Sequence, residues 1–429
     1  MRRPHCSIRE LVGHVVVAGI AAAAMAATNR SAAAPQVEDV AAAAAEGIST
    51  GMPEDRAGSN PQDDLLRFAF EVASLIPREP HLKDRSRAQE AAVLAMLAAG
   101  RIDLATDLVE RMDGWRRGTG FAEVAFALAG ERPDDPRIRR YLVLASNLSD
   151  TAKDWRKDRI RMAIARVHAR LGESAEAARI ARSIAIEEVG KIDVVRARHG
   201  AEVLDDEAFA ARQAELAAAV ASGNFDLVRS ALAAQVGFFE RYRADDVRRL
   251  AVERAIREGW VKVPHSIRID LLLEMSAIAA AAGDAQAAQR FAAEARSSLA
   301  ANRWIAESEV PMLGRIATAF ANAGADEAAR AAIERAEEVH GTRLQEIYDI
   351  YRAGALRPVA EAWVAVGAAD RARATYLRAL ASGMENPNAR PRAIDLAATA
   401  RSMAASGFQP DAELLEEMRA IRTRLGDPW

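Results

Sequence analysis

The sequence predicts an all-α protein, an α-solenoid of stacked helical hairpins. Apolar residues recur at helical spacing from Leu65 almost to the end of the chain. A second pattern also recurs, in which a glycine is followed five residues later by a small residue. The last four glycines of this pattern are 41, 43 and 40 residues apart, at Gly283, Gly324, Gly367 and Gly407. The chain has 429 residues, which is long for a single compact core and favours a repeat array.

The stretch Leu313–Val339 shows the repeating unit most clearly. Its first helix carries Ile316 and Phe320 on one apolar face. Gly324 then supplies the left-handed turn that ends a helix without a Cβ penalty. Asp326 is predicted to cap the second helix. Neither helix has enough apolar surface to fold alone, so each hairpin needs neighbours.

The same register recurs around Gly172, Gly283 and Gly367. In each case an alanine lies five residues after the glycine and a small residue lies seven before it. This pattern resembles the second half of the tetratricopeptide repeat, although the closing proline is missing and that family's period is about 34 residues. The resemblance covers the chain from Gly100 onward. It implies a right-handed superhelix whose concave side is lined by the first helix of each hairpin.

The first 64 residues are predicted to lie outside the array. Residues 1–34 have a basic start, an apolar run over Leu11–Ala27 and Ala-x-Ala sites, which is typical of a secretory signal peptide. A retained membrane anchor is the alternative, but the run is short and rich in alanine. Residues 35–64 are predicted to be a flexible linker. We therefore expect a periplasmic or secreted protein of a bacterial envelope, with no integral membrane span after cleavage.

The rest of the chain divides into three predicted parts. Residues 65–185 form N-terminal helical repeats, residues 186–263 an irregular helical section, and residues 264–429 regular tetratricopeptide-like repeats. The irregular section contains the aromatic cluster Val236–Tyr242, which is either a core element or a partner-binding hot spot. Burial is favoured, because aromatic residues at helical spacing usually pack inside. Each repeat should contact mainly its neighbours, so a truncation at Gly383 should leave a folded remainder.

No catalytic or cofactor motif is present in the sequence. It has no nucleophile elbow, no His-Glu-x-x-His and no phosphate-binding loop, and past the signal no two histidines are spaced for a helical metal site. Cys6, the only cysteine, precedes the apolar run, so a cleaved chain would have none. The net charge of −3 argues against nucleic-acid binding. We expect a protein that is not an enzyme and has no cofactor or metal. The enzymatic alternative is a hydrolase of the α/α-toroid type.

The resemblance also implies groove positions thirteen, six and two residues before the glycine. Before Gly172 these are Arg159, Arg166 and Arg170, whose spacing places them on one helix face. In later hairpins the candidates are Thr318 and Asn322, six and two residues before Gly324, and Arg357 and Glu361, ten and six residues before Gly367.

Arginine side chains at such positions indicate an anionic ligand. Guanidinium groups bind carboxylates bidentately, and a neighbouring amide can hold a peptide backbone. We therefore predict that Arg159, Arg166, Arg170, Asn322 and Arg357 bind a protein or peptide partner through an acidic segment or a free C-terminal carboxylate. Two alternatives stay open. The arginines could form an ordinary solvated face, or the protein could be an assembly subunit that docks into an envelope complex through its outer second helices.

Overall fold

The computed structural model describes residues 60–184 and 205–429, which contain eighteen α-helices and no strand. The first seven are α1 (Pro61–Ala73), α2 (Leu82–Ala98), α3 (Ile102–Val109), α4 (Arg116–Glu131), α5 (Arg137–Thr151), α6 (Asp154–Arg170) and α7 (Ser174–Arg182). After the gap come α8 (Asp206–Ser222), α9 (Phe225–Arg241), α10 (Asp246–Gly259), α11 (His265–Ala281), α12 (Ala285–Ala300), α13 (Ala306–Asn322) and α14 (Asp326–Thr342). The last four are α15 (Asp349–Ala365), α16 (Ala369–Met384), α17 (Ala389–Ser406) and α18 (Ala412–Thr423).

Consecutive helices pack as antiparallel hairpins, and the first helices of neighbouring hairpins also pack on one another. Helices α9, α11, α13, α15 and α17 contact each other in that order, as do α2, α4 and α6. We call this succession the first-helix row. The all-α, repeat-like arrangement is therefore confirmed. The right-handed superhelix and the predicted domain limits stay predictions.

The predicted glycine turns end the helices as expected. At Gly324 the backbone has φ of 74°, and the N–H of Ala325 donates to the carbonyl of Phe320 at 2.9 Å. This bond, which closes a helix through a left-handed residue, satisfies a carbonyl that the helix end would otherwise leave unpaired. The same bond, to the carbonyl five residues back, follows Gly100, Gly172, Gly283, Gly367 and Gly407.

Some predicted boundaries are shifted. Helix α1 begins at Pro61, inside the segment predicted as linker, because the side chain of Asn60 caps it by accepting from Gln62 N at 3.0 Å. Gly130 lies inside α4 and not at a turn. Asp326 is the first residue of α14, and its side chain makes no capping hydrogen bond, so the predicted capping role is wrong.

The backbones of α13 and α15 approach closely at a glycine. A Cβ built on Gly314 would lie 2.6 Å from the carbonyl carbon of Pro358 and 2.8 Å from the nitrogen of Val359. Pro358 lies in the interior of α15, and it cannot donate to the carbonyl four residues back. The bare face of Gly314 therefore lets α13 pack directly against the backbone of α15.

The aromatic cluster of the irregular section is buried. Phe238 and Phe239 are 4% and 2% exposed, and the Phe239 ring meets the edge of Phe291 in α12 at 5.6 Å. Glu253 of α10 reinforces the same junction by accepting bidentately from Arg290 of α12 at 2.6 and 2.9 Å. The core interpretation of this cluster is confirmed, and it joins the irregular section to the regular repeats.

The last described hairpin also packs against the first described helices. Helix α17 contacts α1 extensively and α2 as well. Arg390 of α17 donates to Asp84 at 2.8 Å, and Arg422 of α18 donates to Glu71 at 3.2 Å while lying over the Phe68 ring. We call this junction the terminal seam. It extends the first-helix row from α17 through α1 and α2 to α6, so the expectation that repeats contact mainly their sequence neighbours is wrong at this point.

Within the described ranges, no helix is long and apolar enough to cross a membrane. The predicted signal peptide, nearly all of the predicted linker and the section 185–204 lie outside those ranges.

The close approach of α13 and α15 predicts a cost for Gly314→Ala. The added Cβ must displace the Pro358 backbone, and overpacking of this kind typically lowers the free energy of unfolding by about 1–3 kcal/mol. Gly237→Ala is the control, since Gly237 lies inside α9 with no atom within 4 Å of a built Cβ. That change should be neutral or stabilising by up to ~1 kcal/mol. Urea unfolding measures both, and equal effects would contradict the close approach.

The terminal seam predicts a remote effect of truncation. Removing residues 385–429 deletes α17 and α18, which uncovers α1 more than 300 residues earlier in the sequence. Amide hydrogen exchange should therefore quicken in α1 while α8–α10 keep their protection, because buried contacts govern local opening. Unchanged protection of α1 in the truncated chain would restore the expectation from the sequence.

Candidate peptide-binding face

The three predicted arginines of α6 lie on one side of that helix and face α4. Arg166 Nη1 donates to Glu123 Oε1 of α4 at 2.8 Å. The guanidinium carbons of Arg166 and Arg170 lie 4.6 and 4.4 Å from the centre of the Phe126 ring. Arg166 and Arg170 therefore lie together against α4, and Arg159 lies about two turns away along the same side of α6.

Phe126 fixes the positions of both guanidinium groups. A cation over an aromatic face is attracted by the ring, and the stacked guanidinium keeps its N–H edge free for other partners. The Arg170 guanidinium also passes over Gly130, where a Cβ would overlap it. Burial and the neighbouring charge of Arg166 lower the pKa of Arg170. An anion binding here would relieve that repulsion.

Arg159 belongs to an aromatic group at the other end of the same two helices. Its guanidinium carbon lies 6.0 Å from the Trp115 ring, and Trp115 meets Trp155 edge to face at 5.2 Å. The guanidinium carbon of Arg116 also lies over the Trp115 ring, 4.6 Å from its centre. Trp155 is 45% exposed, so this group is open to solvent on one side.

A buried acid neutralises only one arginine of this group. Glu90 of α2 accepts from Arg116 and, at 2.6 Å, from Thr119 Oγ1. Burial lowers the pKa of Arg116, Glu90 opposes that effect, and the nearby charge of Arg159 lowers the pKa further. Arg159 thus adds positive charge to a site whose acid already has a partner.

Two of the predicted arginines have no acidic partner. In residues 60–184 and 205–429, no carboxylate lies within ion-pair distance of Arg159 or Arg170. Both are held by aromatic contacts rather than by carboxylates. We define the Arg159–Arg170 face as Arg159, Arg166 and Arg170 with Trp115 and Phe126.

Arg357 and Asn322 lie on the same row but several helices away. Arg357 of α15 donates to Asp395 of α17 at 3.0 Å, so its charge is already compensated. Glu361, one turn further along α15, accepts from Ser402 at 2.6 Å. Thr318 bonds its own helix at the carbonyl of Gly314, and Asn322 is exposed at the end of α13. The structure does not bring these residues to the Arg159–Arg170 face.

Arg401 is a further residue of the row that the sequence reasoning missed. It lies on α17 at the terminal seam, and its Nη1 donates weakly to the carbonyl of Ala91 in α2 at 3.4 Å. Burial, with the charge of Arg357, lowers the pKa of Arg401 to about 10, so it stays protonated at neutral pH. Its place six residues before Gly407 is the same place that Arg166 holds before Gly172. The same spacing, applied to the hairpin at Gly407, would have identified Arg401 from the sequence.

Across the part of the chain that the structure describes, no group of three or more His, Cys, Asp or Glu side chains could hold a metal ion. His168, close to the face, instead contacts Glu173 Oε2 through Nδ1 at 2.6 Å. The chemistry available at the face is the binding of anions and of flat or apolar groups.

Comparison with protein-family models, with curated proteins and with solved structures gives no match. The class that the fold itself supports is an all-α protein of packed helical hairpins.

Proposed function

We propose that this protein is a non-catalytic helical-repeat scaffold, and that the Arg159–Arg170 face binds an acidic segment of a protein or peptide partner. The observation that carries the proposal is that Arg159 and Arg170 lie over aromatic rings and that no carboxylate of residues 60–184 or 205–429 pairs with them. A guanidinium positioned in advance loses little side-chain freedom when it binds, which favours affinity. Rows of guanidinium groups are a recurring means of recognising acidic motifs.

The pairing of the buried acids supports a binding role over a catalytic one. Glu90, Glu253 and Asp395 are buried and each accepts hydrogen bonds from an arginine. An acid–base pair for hydrolysis needs carboxyl groups that are free to reach a substrate. Export to a bacterial envelope remains part of the proposal, and it rests on the pattern of residues 1–34.

The second candidate is an assembly subunit that docks through surfaces outside the first-helix row. It is favoured by apolar side chains exposed on the connections between hairpins. Val261, Ile305 and Tyr348 are 61%, 58% and 74% exposed and precede α11, α13 and α15 respectively. Single exposed apolar residues are common, so their repetition on successive connections is what gives this candidate weight.

The double variant Arg159→Ala with Arg170→Ala tests the proposal. It removes the two unpaired charges and leaves the Arg166–Glu123 ion pair in place. A fluorescently labelled peptide rich in glutamate serves as the probe, with binding followed by anisotropy at several salt concentrations. The wild-type protein should bind it, and the double variant should bind at least about tenfold more weakly, because hydrogen bonds to charged groups are among the stronger ones. The salt dependence should also flatten.

Arg179→Ala with Arg182→Ala is the matched control. Both residues lie on α7, a second helix, and Arg179 is exposed and paired with Glu176. The same loss in this control would show a general charge effect and contradict a specific face. Full binding by the Arg159 and Arg170 variant would contradict the proposal and favour the exposed connections as the interface.

A further inference from the structure

A second candidate binding site is a cleft of about 490 Å³ between α4 and α5. Phe121, Leu144 and Leu148 form its apolar wall, and Arg117, Asn147 and Thr151 provide its polar groups. Its volume falls within the range usual for ligand sites, which are mostly apolar with a few polar groups placed to orient the ligand. The cleft lies on a different side of α4 from the Arg159–Arg170 face, because Arg117 and Phe121 are out of phase with Glu123 and Phe126.

The cleft exists because α3 is short. Helix α3 has 8 residues and α5 has 15, so α3 is about 10 Å shorter than α5. Their contacts involve the first part of α5, where Arg137 pairs with Asp103 at 3.1 Å and Arg140 pairs with Glu110 at 2.8 Å.

Beyond Glu110 the chain is drawn away toward α2. Asp113 holds it there, through hydrogen bonds from Arg85 at 2.5 Å and from Gln89 at 3.2 Å. Among the described residues, α3 therefore contacts the first half of α5 and leaves the second half without that neighbour. The cleft is this uncovered stretch, and the Glu110–Arg140 ion pair forms one edge of it.

Arg117 is the unpaired charge in the cleft. Its Nε is buried and has no hydrogen-bond partner, and over both described ranges no carboxylate lies within ion-pair distance of it. Arg140, the other arginine of the cleft, is already bound to Glu110. The Arg117 side chain is partly exposed, and a carboxylate bound in the cleft would compensate its charge.

We propose that this cleft binds the C-terminal end of a peptide whose last residues are apolar. The terminal carboxylate pairs with Arg117, and the last side chains lie against Phe121, Leu144 and Leu148. The amide of Asn147 can both donate and accept, which suits the N–H and C=O of a peptide backbone, and Thr151 adds a hydroxyl. A simple fatty acid would leave these polar groups without partners, so a peptide fits the cleft better.

The test uses two labelled peptides of the same sequence, ending in Ala-Leu-Val, one with a free carboxyl terminus and one amidated. Fluorescence anisotropy with the full chain should show binding of the free peptide and at least about tenfold weaker binding of the amidated one. Equal binding of the two peptides, or no binding of the free peptide, would overturn the proposal.

Three variants locate the site. Arg117→Gln should weaken binding of the free peptide at least tenfold and remove its preference over the amidated one. Thr151→Glu, at an exposed position, puts a competing carboxylate at the cleft and should also weaken binding even if Arg117→Gln disturbs packing. Arg139→Gln is the control. Arg139 lies on α5, as Thr151 does, and it pairs with Glu173 outside the cleft. Full binding by both Arg117→Gln and Thr151→Glu would refute the site.

The Arg159→Ala, Arg170→Ala variant separates this inference from the proposed function. It should bind the peptide with the free terminus as tightly as the wild-type protein, because the cleft faces the other way. Loss of binding there would assign the carboxylate to the Arg159–Arg170 face and contradict a separate site.

Discussion

The packing of α17 against α1 is the contact on which the rest of the array depends. Helix α17 lies between α15 on one side and α1 and α2 on the other, so it joins the regular repeats to the N-terminal ones. Arg390, Arg401 and Arg422 reach across this junction to Asp84, the carbonyl of Ala91 and Glu71. The row that carries the candidate binding face is thereby supported at α2, where Glu90 anchors Arg116. A repeat array in which both chain ends were free would leave α1 and α2 without this support.

Arginine over aromatic rings is a recurring device in this protein. Phe126 contacts two guanidinium groups and Trp115 contacts two more, so the rings fix the positions of these charges whether or not an acid pairs with them. The same device appears at the seam, where Arg422 lies over Phe68. Acids neutralise some of these arginines and not others. Arg159 and Arg170 of α6 are two stacked arginines for which the described residues provide no ion pair. The Arg159–Arg170 face and the cleft at Arg117, on another side of α4, are the two places where we infer ligands.

The hairpins could be predicted because their signals are local. A glycine that ends a helix in the left-handed conformation can be recognised from one position of the sequence, as at Gly324. The placement of Arg159, Arg166 and Arg170 on one side of α6 followed from helical spacing alone. The terminal seam could not be predicted, since no short pattern links Phe68 to Arg422. Nor could the cleft, because it arises from a difference in length between α3 and α5. The pairing of Arg357 could not be predicted either, because its acid, Asp395, comes from the next hairpin. Whether an arginine has an ion pair depends on the acids of the adjacent first helix, and the spacing of residues within one helix does not reveal those acids.

The most direct test of this account is the distance across the terminal seam. Cys6→Ser, Arg67→Cys and Thr423→Cys place one spin label beside Phe68 and another beside Arg422, whose side chains contact each other. Double electron–electron resonance should give one narrow distribution of distances between the two spin labels, centred at ~25 Å or less. That upper limit is about the length of a 17-residue helix. Neighbouring helices are about 8–10 Å apart, so ends separated by an open array would lie tens of ångströms further from each other. A long or broad distance distribution in the folded protein would contradict the seam and the continuous first-helix row built on it.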